Sequence, residues 1–162
     1  MKKITAFVLI LVALLSLCLT AFSDAPSAPP ADEISADLTH AEFIWRAPAQ
    51  LTRDVTEKKI IYMNTNITKA SSTSVSYSIT TETNAKPITI SVVATIQRWE
   101  NNKWNNYLTS NYGNWDSTSH QVQATKTVES GYYYRLYCTH TAYFMDSDTS
   151  SYISWTKSVY VN

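Results

Sequence analysis

The densest group of side chains suited to chemistry extends from Trp99 to Trp115. Residues 99–107 read Trp-Glu-Asn-Asn-Lys-Trp-Asn-Asn-Tyr, with three aromatic rings among four asparagines. Aromatic rings pack on the flat faces of sugars, and amides hydrogen-bond to sugar hydroxyls. The pattern predicts a carbohydrate-binding surface built from Trp99, Trp104, Tyr107 and Trp115. The alternative is that these rings pair across strands or cover the end of a hydrophobic core.

Catalytic and metal-binding patterns are not found in the sequence. His40, His120 and His140 lie far apart and match no zinc-ligand spacing. The chain has only two glycines and no Gly-x-Ser-x-Gly motif, so neither a phosphate-binding loop nor a nucleophile elbow is expected. The acidic turn at 146–150 could offer oxygens to calcium, but it lacks the glycine and distal glutamate of an EF-hand. We therefore expect no catalytic residue, no metal site and no cofactor.

One long predicted strand is the structural element most able to position the predicted binding surface. Residues 131–144 form the longest run of aromatic and β-favouring residues, opened by Gly131 and followed by a polar loop. Alternation along this run places Tyr134, Leu136 and Cys138 on one face, and we expect Cys138 to be buried as a small hydrophobe. Outward tyrosines on this strand and the last one indicate a second aromatic strip, composed of Tyr133, Tyr137, Tyr152 and Tyr160.

The rest of the chain predicts short antiparallel strands. Apolar residues alternate in segments 59–67, 73–81, 87–97, 104–110, 120–128 and 152–161. Glu100–Lys103 predicts a hairpin turn, and Tyr112–Asn114 predicts a break. Trp99 falls on the outward parity of its strand, whereas Trp155, Val159 and Val161 share one face of the last strand. About seven strands without helical periodicity predict an all-β fold, an antiparallel two-sheet sandwich of immunoglobulin or fibronectin type III type over residues 41–162.

The N-terminal region predicts export. Met1-Lys2-Lys3 precedes an apolar run that ends in Ala21-Phe22-Ser23, which is typical of a signal peptide over residues 1–23; a membrane anchor is the alternative. Proline, alanine and acidic residues in 24–40 indicate a flexible spacer. Cleavage near Ser23 removes Cys18 and leaves Cys138 without an internal disulfide partner.

Charge argues against two classes of partner. Without Lys2 and Lys3, eleven basic and thirteen acidic residues remain, a net charge of −2. This balance excludes the basic field that nucleic acid or anionic lipid binding needs. We expect a secreted, extracellular protein with no stable membrane anchor.

Two stretches carry a resemblance to known families. The glycine turn into a tyrosine strand at 128–135, the serine-rich turn at 148–151 and the closing strand resemble the end of a fibronectin type III domain. Residues 40–162 are similar to a family of small secreted Gram-positive bacterial proteins of unknown function. The shared elements are Phe43-Ile44-Trp45, Ile96-Gln97-Arg98-Trp99, Asn102-Lys103-Trp104 and Gly131-Tyr132-Tyr133-Tyr134-Arg135. The resemblance implies a β-sandwich and carries over no functional residue.

Together these features predict a secreted, non-enzymatic β-sandwich protein that binds a cell-surface glycan or a protein through exposed aromatic residues. A dedicated carbohydrate-binding module is one alternative. A bacteriocin-like toxin is the other, because the protein is small and exported.

Overall fold

The computed structural model describes residues 27–47 and 57–162. The predicted signal peptide and its cleavage site, residues 24–26 of the predicted spacer, and Pro48 lie outside the described residues. Within the two described ranges, no helix is long and apolar enough to cross a membrane.

The described residues form two antiparallel sheets of nine strands, and a single turn of 3₁₀ helix at Ala31–Glu33 precedes them. The strands are β1 (His40–Arg46), β2 (Ile60–Ser71), β3 (Ser74–Thr83), β4 (Thr89–Glu100), β5 (Lys103–Trp115), β6 (Ser119–Thr127), β7 (Tyr132–Tyr143), β8 (Thr149–Trp155) and β9 (Val159–Val161). The first sheet has the order β1-β2-β3-β6. The second has the order β5-β4-β7-β8, and β9 also pairs with β7. The predicted antiparallel two-sheet sandwich is confirmed.

The strand order is of immunoglobulin type. When β1 is set aside, β2, β3 and β6 correspond to strands A, B and E, while β5, β4, β7 and β8–β9 correspond to C′, C, F and G. A tyrosine corner accompanies this order, since the hydroxyl of Tyr134 near the start of β7 donates to the carbonyl of Glu129 at 2.9 Å. Burial raises the pKa of Tyr134 to about 12, so the phenol remains a donor.

Strand β7 is central, as its aromatic run predicts. It pairs with β4 on one side and with β8 and β9 on the other. Tyr134, Leu136 and Cys138 are fully buried and pack in the main hydrophobic core between the sheets. Cys138 is a free thiol, as expected, and burial raises its pKa to about 12.

A buried polar network joins the two sheets beside this core. The imidazole of His140 on β7 contacts the hydroxyl of Thr81 on β3 through Nδ1 at 2.7 Å and that of Ser154 on β8 through Nε2 at 2.8 Å. Ser154 also contacts the hydroxyl of Thr65 on β2 at 2.6 Å. All four residues are fully buried. Because a neutral imidazole donates through one nitrogen and accepts through the other, hydroxyl partners satisfy it completely.

Three predicted details are wrong. Strand β5 continues through Tyr112–Asn114 to Trp115, because β4 offers a partner along the whole length, including Ser91 opposite Gly113. The closing segment is two strands, and the Phe43–Trp45 cluster lies in an additional strand, β1, so nine strands form where about seven were expected.

A further wrong prediction concerns the face of Trp155. The pairing with β7 shifts by one residue between β8, where Trp155 lies opposite Tyr137, and β9, where Val159 lies opposite Tyr134. A one-residue shift reverses the face on which a side chain lies. Val159 and Val161 are therefore buried, whereas Trp155 points outward and is 52% exposed.

The buried histidine predicts a specific pH dependence of stability. Burial lowers the pKa of His140 from 6.5 to about 4, so between these values the unfolded chain binds a proton that the folded chain does not. The contribution of neutral His140 to the free energy of unfolding is complete above about pH 6.5. It is lost as the pH falls towards 4, a change on the order of 3 kcal/mol.

Thermal unfolding of wild type and His140→Gln between pH 7.5 and pH 4 measures this contribution. We expect His140→Gln to be less stable at pH 7.5 and the difference in unfolding free energy to shrink as the pH falls. Parallel pH profiles for the two proteins would contradict the assignment.

Candidate functional site

Trp99 and Trp104 form a cross-strand pair at the tip of the β4–β5 hairpin. The predicted turn is confirmed, with positive φ angles of 56° and 59° at Asn101 and Asn102. The indole centroids lie 5.2 Å apart and the rings are inclined by 64°. Trp99 has the outward parity that its sequence position predicts, but it is only 8% exposed. The pair therefore does not present two free rings to a ligand.

The N-terminal segment, residues 27–39, contacts the same hairpin at its turn and at Trp104. Ser27 donates to the side chain of Asn102 at the hairpin turn, and the carboxylate of Glu33 accepts the indole N–H of Trp104. Pro29 between them is buried. These residues belong to the region for which the sequence predicts a spacer, and they lie against the hairpin.

Tyr107 faces the interior because of a β-bulge. Ile96 pairs with Leu108 and Gln97 with Asn106, so Tyr107 is the extra residue on β5. Its ring packs edge-on against Tyr134 with the centroids 5.6 Å apart. Tyr107 is thus part of the packing at the end of the core.

Arg98 closes the same end of the core. Its guanidinium lies 4.9 Å from the ring centroid of Tyr107 and 4.4 Å from that of Tyr132. It also forms ion pairs of 2.8 Å with Glu100 and Glu129. The cation holds Tyr107 in place, which removes this ring from the predicted sugar platform.

Trp115 lies at the far end of β5 and is 70% exposed. It pairs with Thr89, whereas Trp104 pairs with Trp99. At about 3.4 Å per residue, the two tryptophans on β5 are roughly 35 Å apart. The four residues of the predicted platform therefore do not form one surface.

A different set of aromatic residues gathers on the outer face of the second sheet. This aromatic strip consists of Tyr133, Tyr137, Trp155 and Tyr160. The rings of Tyr133 and Tyr160 lie 4.7 Å apart, and Trp155 is the register partner of Tyr137. Tyr152, the remaining tyrosine of the predicted second strip, points the other way.

Tyr152 packs on Trp45 of β1, with the ring centroids 5.0 Å apart. Trp155 is not part of the predicted strip, because simple alternation along residues 152–161 places it on the inner face with Val159. The hydrogen bond from the amide of Thr156 to Leu136, just beyond β8, marks the point at which β8 ends.

Arg135 lies on the outer face between Tyr133 and Tyr137. Its guanidinium is 4.5 Å from the ring centroid of Trp104, and its Nε donates to the side-chain oxygen of Gln97 at 2.8 Å. The carboxylate of Glu33 is 3.8 Å from Nη1. Burial lowers the pKa of Arg135, and Glu33 opposes this effect. Arg135 therefore presents a fixed cation beside the strip.

A side cleft of about 380 Å³ opens next to Trp155, where the N-terminal segment crosses between the sheets. Residues of both charges and two aromatic rings line it: Asp32, Glu33, Glu42, Phe43, Arg135, Trp155, Thr156 and Lys157. The segment is held there by backbone hydrogen bonds from Ser35 N–H to the carbonyl of Ser158 at 3.0 Å and from Ser158 N–H to the carbonyl of Glu33 at 2.8 Å. The cleft thus combines a flat exposed indole with hydrogen-bond donors and acceptors.

The outer face of the first sheet is chemically different. A shallow depression of about 440 Å³ on it is lined mainly by hydroxyl and amide side chains: Asn66, Thr68, Ser76, Tyr77, Ser78, Gln123, Ala124 and Thr125. None of these residues carries a charge. Of these two depressions, the side cleft is the one that combines an exposed indole with charged groups.

Two features of the described residues bear on metal binding and catalysis. Residues 27–47 and 57–162 contain no cluster of three or more histidines, cysteines and carboxylates placed to hold a metal ion. The contact between His140 and Ser154 lies in the closed core, where a substrate cannot reach it.

No protein-family model, no curated protein and no solved structure matches this chain. Function is therefore inferred from the geometry of the second sheet.

The contacts of Glu33 with Trp104 and Arg135 can be tested by mutation. In Glu33→Ala, Trp104 loses its acceptor and Arg135 its carboxylate. We expect a loss of stability of about 1 kcal/mol, with a red-shifted tryptophan emission and stronger quenching by acrylamide.

Asp32→Ala is the matched control, because Asp32 is exposed in the same helical turn and should leave the emission unchanged. Identical spectra for wild type and Glu33→Ala would show that the segment does not cover the pair.

Proposed function

We propose that this chain is a secreted, non-enzymatic binding protein whose ligand docks on the aromatic strip and the side cleft. The observation that carries the proposal is Trp155, half exposed on the outer face and lining a cleft that also contains Arg135 and Glu33. Large exposed aromatics beside fixed polar groups are typical of recognition surfaces.

Carbohydrate is the ligand class that this surface fits best. An exposed indole offers a flat apolar face to a sugar ring, and the strip continues it with tyrosine hydroxyls. Carboxylates of Asp32 and Glu42 and the ammonium of Lys157 line the cleft and supply acceptors and donors for sugar hydroxyls. Carbohydrate is one of the two ligand classes that the sequence leaves open, and the proposed platform lies on β7 and β8 instead of the β4–β5 hairpin.

The absence of an enzymatic activity is part of the proposal. It is supported by the burial of the His140–Ser154 contact and by the use of Arg98 and Arg135 in stacking and ion pairing. The described surface offers binding groups around Trp155, and a paired base and nucleophile are not among them.

A glycan array probed with wild type, Trp155→Ala and Trp115→Ala tests the ligand class and its location together. We expect Trp155→Ala to weaken binding to the recognised glycans at least tenfold, because the stacking ring is lost. Trp115→Ala is the matched control, since it removes an even more exposed indole from the far end of the same sheet.

Equal binding by wild type and Trp155→Ala would place the platform elsewhere. A wild type that binds no glycan would overturn the carbohydrate class. Growth inhibition by the purified protein would then favour the toxin alternative.

Export is the second part of the proposal, and it rests on the basic and apolar residues of segment 1–23. We expect full-length protein produced in a bacterium to appear in the medium with Asp24, or a residue within a few positions of it, at its N-terminus. Edman degradation or intact mass measures this directly, and an uncleaved chain retained in cells would contradict it.

A further inference from the structure

Strand β8 is an edge strand of the second sheet, and among residues 27–47 and 57–162 no strand pairs with its outer side. Hydrogen bonds from Phe144 N–H to the carbonyl of Asp148 at 2.9 Å and from Thr156 N–H to the carbonyl of Leu136 at 3.0 Å fix which residues face β7. They place the peptide groups of the even-numbered residues of β8 towards β7. The peptide groups of Ser151, Ile153 and Trp155 therefore point to the free side, where no described strand pairs with them.

This edge lacks the features that keep sheet edges from pairing. Strand β8 reads Thr-Ser-Ser-Tyr-Ile-Ser-Trp, without a charged residue or a proline, and its pairing with β7 has no bulge. The side chains of Ile153 and Trp155 are about half exposed at 48% and 52%.

The other edge strands are protected, and the outer side of β9 is covered by the N-terminal segment through the hydrogen bond from Tyr160 N–H to the carbonyl of Leu38. Strand β1 carries Glu42 and Arg46, β5 has a bulge at Tyr107, and β6 carries Lys126. Charges and bulges disfavour pairing of an edge with another chain. The contrast singles out β8.

We propose that two copies of this chain pair antiparallel through β8 and join their second sheets into one continuous sheet. Hydrogen bonds across the new pair require odd-numbered residues to face odd-numbered residues. A two-fold axis at Tyr152 satisfies this condition, because it places Ser151 opposite Ile153 and Thr149 opposite Trp155 of the second copy.

Charges at the two ends of β8 support a second copy as the occupant. Asp146 and Asp148 precede the strand and Lys157 follows it. With the axis at Tyr152, the acidic end of one copy lies beside the basic end of the other, at both ends of the pair. The same strand therefore complements itself in pattern and in charge.

The arrangement has a consequence for ligand binding. A two-fold axis through an antiparallel strand pair is perpendicular to the sheet, so the outer faces of both second sheets lie on the same side. The two aromatic strips would then form a surface able to hold two sites of one polymer at once, which raises avidity.

Sedimentation equilibrium of the mature chain, from low micromolar to near-millimolar concentration, tests the pairing. We expect a concentration-dependent, closed dimer. Ile153→Lys places two positive charges, one from each copy, near the axis, where they repel each other. Ser151→Pro removes an outward N–H without breaking a hydrogen bond to β7. Each should raise the dissociation constant at least tenfold.

Ile44→Lys is the matched control, because Ile44 is 56% exposed on β1, an edge strand of the other sheet. It should dimerise as wild type does. A wild type that stays monomeric, a dimer insensitive to both β8 variants, a dimer broken by Ile44→Lys, or open-ended polymers would each overturn the proposal.

Discussion

The register of β7 is the constraint on which the rest of the structure depends. This strand has partners on both edges, and its inner residues fill the core beside the first sheet. A slip of one residue would bring Tyr133, Arg135 and Tyr137 into the interior and leave a guanidinium there without a partner. Because that alternative is so costly, the outer face is fixed as firmly as the core. The aromatic strip is thus a product of the same alternation that folds the protein.

The N-terminal segment connects the two sheets next to the outer face that carries the aromatic strip. It runs beside β9 and is hydrogen-bonded to Ser158. The carboxylate of its Glu33 contacts Trp104 and Arg135 on the second sheet. It then continues into β1 of the first sheet. One short stretch of chain therefore accepts the indole N–H of Trp104, lines the side cleft and bonds to both sheets. Its only large apolar side chains are Ile34 and Leu38, and hydrogen bonds to backbone and carboxylate groups join it to both sheets.

Sequence alone predicted the features that follow from strict alternation. The two-sheet fold, the central strand and the burial of Cys138 depend on a period of two that runs uninterrupted through β7. Prediction failed where the period is interrupted. The bulge at Tyr107 and the one-residue shift after Trp155 change faces without any residue that signals it. The contacts of residues 27–33 with Asn102 and Trp104 could not be predicted either, because a proline-rich composition gives no indication of what a segment contacts.

The buried Cys138 is a natural probe of how often the folded protein opens. The thiol is fully buried between the sheets, and Cys18, the only other cysteine in the sequence, belongs to the segment that we propose as a signal peptide. Since only the thiolate reacts and burial keeps the sulfur protonated, an alkylating reagent reaches it when the sheets separate and not before. The rate of alkylation therefore measures how often the sandwich opens, with no engineered label needed.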